Sequence, residues 1–145
     1  MKPALIAGAL FLSAIFFACD TFAADSITIA RKKFPKIQFG IASYYHDKFQ
    51  NRLTASGEKF DQKKMTAAHN GLPLNTWIRV TNLTNQKSVI VRVNDRLHRK
   101  NTRLVDLSNT AAKNLGYLGH GLAQVRVEVF DKKKPPELVA MKSHN

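Results

Sequence analysis

The chain has 145 residues and carries 23 Lys and Arg against 10 Asp and Glu, a formal net charge of +13. That length argues for one domain, and 44% apolar residues suffice for one modest core. A single cysteine, Cys19, excludes an internal disulfide and a cysteine-built metal centre, and the charge points to anionic polymers or surfaces as partners without bearing on the fold. Met1-Lys2 makes a short positive start, and residues 4–18 form an uncharged run of Ala, Leu, Ile and Phe. This is the order and length of a secretory signal and is short for a membrane span; an uncleaved anchor is the alternative. Two processing routes are open. Phe16-Phe17-Ala18-Cys19 is similar to a bacterial lipoprotein box, which puts lipid on Cys19. Thr21-Phe22-Ala23-Ala24 offers small residues for cleavage after Ala23 or Ala24. Residues 1–24 are therefore read as a signal peptide, and the exported part belongs to the bacterial envelope or periplasm. Export turns the basic charge away from nucleic acid and toward wall polymer or an anionic membrane surface.

Residues 25–36 read as a basic linker, with Arg31-Lys32-Lys33 and Lys36 around Pro35. The folded domain is expected over residues 37–130. Phe39-Gly40-Ile41-Ala42-Ser43-Tyr44-Tyr45 has strand composition. A long polar stretch, 46–64, follows with Thr54-Ala55-Ser56-Gly57-Glu58 at its centre. After Met65-Thr66-Ala67-Ala68-His69, Asn70-Gly71 marks a turn. Residues 76–83 alternate as a strand, and Thr84-Asn85-Gln86-Lys87 is the turn to the next one, so the two predict a hairpin. In that second strand Val89, Val91 and Val93 share one face, while Ile90, Arg92 and Asn94 share the other. Asp95 stands at its tip, with Arg92 and Arg96 close by in sequence. The loop 96–103 is strongly basic. A helix is predicted from about Ser108 to Leu115, capped by Asp106 or Ser108 and stopped at Gly116. Residues 122–130 alternate cleanly, with Ala123, Val125, Val127 and Val129 on one side. Residues 131–145 read as a flexible basic tail. Short strands at close spacing predict a small sandwich or barrel. No glycine loop for phosphate, zinc spacing or serine elbow is present, so neither cofactor nor metal is expected.

Seven stretches then fall into register with one known family. They are Gly40-Ile41-Ala42-Ser43-Tyr44-Tyr45, Thr54-Ala55-Ser56-Gly57-Glu58, Thr66-Ala67-Ala68-His69, Leu72-Pro73-Leu74, Val80-Thr81-Asn82-Leu83, Val91-Arg92-Val93-Asn94-Asp95-Arg96 and Asp106-Leu107-Ser108. In this order they resemble the RlpA family (rare lipoprotein A), septal-ring lytic transglycosylases of bacteria. The resemblance implies a mainly β fold, a small six-stranded double-psi β-barrel with one or two short helices. It implies peptidoglycan glycan strands, preferably peptide-free, as substrate. The products would come from endolytic cleavage of the β-1,4 bond after N-acetylmuramic acid and carry 1,6-anhydro ends. It assigns Asp95, Glu58 and His69 to the catalytic site, and the chain is expected to act as a monomer.

That reaction needs one proton delivered to the leaving oxygen and another taken from the sugar's own 6-hydroxyl, and a single carboxyl can serve both steps in turn. Asp95 is the implied acid. Glu58 would act on it by like charge, and His69 by a hydrogen bond or proton transfer. Tyr44, Tyr45, Ser56, Arg92 and Arg96 are the candidate substrate-binding residues; Tyr44, Tyr45 and Trp77 offer flat faces to sugar rings, with core packing the alternative for Trp77 and for one of the tyrosines. A guanidinium from Arg92 or Arg96 close to Asp95 would favour its charged form. Asp106 is read as a helix cap. One departure stands out: the family usually has Gly-Pro-Phe after Asp-Arg, and here Leu97-His98-Arg99 follows Asp95-Arg96. The alternative function, favoured by that departure, is a non-catalytic expansin-like module that binds or loosens wall glycan. The family's separate SPOR wall-binding domain has no counterpart in the sequence.

Overall fold

The structure, a computed structural model, describes residues 36–131 and 135. The signal peptide, Cys19, nearly all of the linker and most of the tail lie outside the described residues. Six strands form, four where the sequence reads as strand and two, β2 and β5, of three residues each where it does not: β1 (Ile37–Tyr44), β2 (Thr66–Ala68), β3 (Trp77–Asn82), β4 (Ser88–Asp95), β5 (Val105–Leu107) and β6 (Ala123–Asp131). They close into a barrel in the order β1-β5-β2-β4-β3-β6. Two of the pairings, β1 with β5 and β2 with β4, are parallel, and the other four are antiparallel. The predicted hairpin is β3–β4, in register from Trp77 opposite Arg92 to Thr81 opposite Ser88. The valines that alternate in the sequence meet inside. Val80, Val91, Val93, Val105, Val125 and Val127 are fully buried with Ile78 and Leu107, and each such aliphatic side chain contributes roughly 1.5–3 kcal/mol by leaving water.

The α-helix α1 (Asn109–Leu115) packs Ala111, Ala112 and Leu115 against this core. Its cap is Ser108, whose Oγ accepts from Ala111 N. Asp106, the other candidate cap, does not serve here, which leaves its carboxylate for the site described below. A 3-10 turn, Asp47–Phe49, is the second short helical piece. Tyr117, just after α1, is buried and donates its hydroxyl hydrogen to the Ser43 carbonyl at 2.8 Å, tying the end of the helix to β1.

Gly116 ends α1 in the left-handed conformation at φ 80°, where its N–H reaches the carbonyls of Ala112 and Lys113. A Cβ there would lie 2.8 Å from Asn85 Nδ2, which itself holds the Leu115 carbonyl. Gly116→Ala should therefore cost about 1–2 kcal/mol of stability, read as a lower urea midpoint. An unchanged midpoint would show that this helix end tolerates the side chain.

Candidate active site

The site lies on the outer face of the sheet where β1, β5, β2 and β4 run side by side. Ser43 pairs with Asp106, Asp106 with Ala68, and Ala68 with Asp95. Register partners project to the same face. Asp106 and Asp95 therefore flank the small Ala68, with their backbones about 10 Å apart across two strand spacings. A bulge brings Asp95 there. Ala67 pairs with Val93, but Ala68 pairs with Asp95, so Asn94 is an extra residue in β4. Strict alternation would turn Asp95 to the same side as Val93, into the core. The extra residue re-aims it outward.

A cavity of about 640 Å³ opens over this row, within the size range of small-ligand clefts. Asp95 and Asp106 form part of its wall. Its cationic side chains are Lys48, Arg52, Arg96 and Arg103, and Leu97 and His98 sit at one side. The departure at Leu97 thus leaves the cavity open. Leu97 is 6% exposed, its N–H donates to Asn70 Oδ1 at 2.8 Å, and it serves as wall rather than plug.

Asp95 is held by three donors. Oδ1 accepts from the N–H of Ala55 at 2.9 Å and of Arg96 at 2.8 Å, and Oδ2 accepts from the Tyr45 hydroxyl at 2.7 Å. Burial, and then the bond to Asp95, hold the Tyr45 phenol proton well above its ordinary range. The Tyr45 ring lies on Phe60 with centroids 4.3 Å apart and meets the edge of Phe49 at 5.7 Å. Tyr45 therefore has its hydroxyl on the acid and its ring in an aromatic cluster. Tyr44 also borders the cavity, but its hydroxyl donates to the Leu118 carbonyl and its ring packs edge-on against Tyr117.

Neither nearby guanidinium is hydrogen-bonded to the Asp95 carboxylate, which Arg96 meets only through its backbone N–H. Arg92 grips both oxygens of Glu58 at 2.8 Å and reaches Asn75 with its other nitrogen. Arg96 donates to the backbone carbonyls of His69 and Asp95. Glu58 also accepts from Asn94 Nδ2 at 3.2 Å, and the Arg92 bond is the main reason its carboxyl is held below the usual range. The turn between Thr54 and Glu58 is thus clamped to β4 at three successive points: Glu58 by Arg92, the Ser56 N–H by the Asn94 carbonyl, and the Ala55 N–H by Asp95. Ser56 Oγ stays within the turn, 3.0 Å from Thr54 Oγ1.

His69 follows Ala68 and is 3% exposed. Its Nδ1 accepts from the N–H of Gly71 at 3.0 Å and of Leu72 at 3.1 Å, so the ring hydrogen is on Nε2. Its own N–H donates to the Asp95 carbonyl. Burial first, then the Arg96 guanidinium, lower its pKa to about 4. The contact of His69 with Asp95 is through the backbone, and no hydrogen bond joins its ring to the Asp95 carboxylate. Glu58, His69, Ser56, Arg92 and Trp77 stand outside the cavity lining, whereas Asp95, Tyr44, Tyr45 and Arg96 are part of it.

Sequence reasoning missed Asp106. Its Oδ1 accepts from Ser43 Oγ at 2.7 Å and Arg103 Nε at 2.8 Å, and its Oδ2 accepts from Arg103 Nη2 at 3.0 Å. The Asp106 bond raises the pKa of Arg103. Phe49 was also missed. It stands at the cavity with Lys48 Nζ 5.4 Å and Arg52 Cζ 5.3 Å from its ring centre. Among the described residues no group of three or more His, Cys, Asp or Glu is gathered to hold a metal ion.

The closed six-stranded mixed barrel with one helix has the double-psi β-barrel class of fold, and its acidic site lies on the outer face. The family profile described as lytic transglycolase matches residues 37–127, and the chain belongs to that family, the RlpA group of the sequence comparison. It is 50% identical over 98 residues to the endolytic peptidoglycan transglycosylase RlpA of Haemophilus influenzae, a match covering 68% of this chain and 34% of that protein. It is 55% identical over 92 residues to the RlpA of Pseudomonas aeruginosa, covering 63% and 27% respectively. The chain thus spans about a third of the length of the curated relatives it matches. An expansin from Clavibacter michiganensis superposes with a TM-score of 0.54 at 19% identity, over 68% of this chain and 52% of that one, a likeness of fold alone.

Proposed function

We propose that the domain cleaves peptidoglycan glycan strands in the cell envelope as an endolytic lytic transglycosylase, with Asp95 as acid and then base. The observation that carries this reading is a carboxyl group anchored at three points on the wall of an open cavity, within a 98-residue stretch half identical to a protein named for that activity. Asp95 protonates the glycosidic oxygen as the bond to the muramyl C1 breaks. The 6-hydroxyl of the same sugar closes on C1, and its proton returns to Asp95, so no water is consumed. Positive charge develops at C1 in the transition state. Asp106, fixed under Arg103 on the same wall, supplies a second, stationary negative charge to oppose it. Glu58 and His69 support the site from outside the cavity. Glu58 anchors the turn that presents the Ala55 N–H, and His69 shapes the 69–72 turn behind the Asp95 backbone. Phe49 holds Lys48 and Arg52 over its ring and so keeps two cations at the cavity to meet the polar groups of the glycan.

Incubating the protein with peptide-free glycan strands should release short soluble fragments. Strands that bind but stay at full length would instead make the domain a recognition module. Glu58→Gln keeps one acceptor for Arg92 and should cost activity only about tenfold or less, since it loosens a turn rather than removing a proton carrier. A loss as large as that of Asp95→Asn would place Glu58 in the chemistry itself.

A further inference from the structure

The two oxygens of Asp95 are not equivalent. Oδ1 is occupied by the N–H groups of Ala55 and Arg96, which can donate and never accept. A proton on Oδ1 would meet two donors and break at least one bond. Oδ2 has one partner among the described residues, the Tyr45 hydroxyl at 2.7 Å, and so keeps a lone pair for an exchangeable proton. We infer that Oδ2 is the proton-carrying atom of the reaction and that Tyr45 is its positioning residue, a role beyond offering a flat face to a sugar ring. The inference rests on the reading of Asp95 as the acid.

The physical reason lies in how the bond changes during the step. A phenol donates weakly to a neutral carboxylic acid and strongly to a carboxylate. As the Oδ2 proton passes to the glycosidic oxygen, negative charge grows on Asp95 and the Tyr45 bond tightens. An interaction that strengthens toward the transition state raises turnover rather than affinity. Nothing is consumed: one proton leaves Oδ2 for the departing sugar oxygen, and one returns to it from the 6-hydroxyl. The ring is locked for this task. Phe60 lies on one side, Phe49 meets it edge-on, and the backbone of Tyr45 bonds to the Leu107 carbonyl and the Gln62 side chain.

Other charged or titrating groups face this pair. They are His46 and Lys48 beside the 3-10 turn, Arg52 after it, Arg96 and His98 beyond β4, Arg103 before β5 and Asp106 on it. All are unchanged in Tyr45→Phe, which also keeps the ring and its packing. The test is the pH–rate profile of the full chain on peptide-free glycan strands, with anhydro ends counted by mass spectrometry. The acid must start protonated, so the alkaline limb follows its ionisation. Removing a donor to the carboxylate should move that limb up by about one pH unit and lower kcat by about tenfold or more, with KM little changed. A fluorinated tyrosine at position 45, a more acidic donor, should move the limb the other way. Thermal melting checks that both variants fold. If the limb stays in place in both variants while Asp95→Asn is inactive, the assignment of Tyr45 and Oδ2 is overturned and the reading of Asp95 stands. If the wild-type chain makes no anhydro ends, both fall.

Discussion

Asp95→Asn is expected to reduce the release of anhydro-ended fragments by about 10²–10⁴-fold or more, because it removes the one group placed to carry the proton in both directions. The substitution is mild in structure. An asparagine oxygen can still accept from the N–H groups of Ala55 and Arg96, and its nitrogen can donate to the Tyr45 hydroxyl. Folding should therefore be unaffected, and the melting curve of the variant should overlay that of the parent. Glycan binding should also persist, since the cationic side of the cavity at Lys48, Arg52, Arg96 and Arg103 is unaltered. A variant that keeps half of its turnover would remove Asp95 from the mechanism.

The second large effect is on stability and comes from His69. Its pKa is lowered to about 4 from 6.5, so between these values the unfolded chain binds a proton that the folded one refuses. The stability is fully present above pH 6.5 and is lost as pH falls toward 4. The span corresponds to about 3 kcal/mol. The structural cause is visible in the ring: protonating Nδ1 would break its bonds to Gly71 and Leu72, and Nε2 is buried without a partner among the described residues. Urea unfolding at pH 6.5 and pH 4 should show this loss in the parent and a much smaller one in His69→Gln. Equal losses in both would mean that His69 takes up its proton without cost to the fold. Acid would act on this weakness at the turn that backs Asp95.

The strands were legible because each inward face repeats at every second residue, as in β4 and β6, and the β3–β4 hairpin followed from the Thr84-Asn85-Gln86-Lys87 turn. Closure of the barrel was not, since pairing β1 with β5 and β2 with β4 joins strands of three residues whose alternation is too short to read. The position of Asp95 at a strand tip was visible. Its outward aim was not, because the bulge at Asn94 exists only through the pairing with Ala68. Asp106 was taken for a cap because it lies just ahead of a helix. Ser108 fills that role, and the neighbour that reveals the task of Asp106 is Ala68, 38 positions earlier. Glu58 and His69 were expected at the carboxylate of Asp95. The structure joins both to Asp95 through the backbone and through the turn that Arg92 and Asn94 hold, contacts that only a folded chain defines.

The central claim is that the cleaved sugar closes on itself at Asp95 instead of admitting water between Asp95 and Asp106. Digesting peptide-free glycan in heavy-oxygen water and weighing the new muramyl ends tests it directly. The account predicts ends lighter by one water and free of the label. Reducing ends that carry the heavy oxygen would contradict it and make the pair of carboxylates a hydrolase.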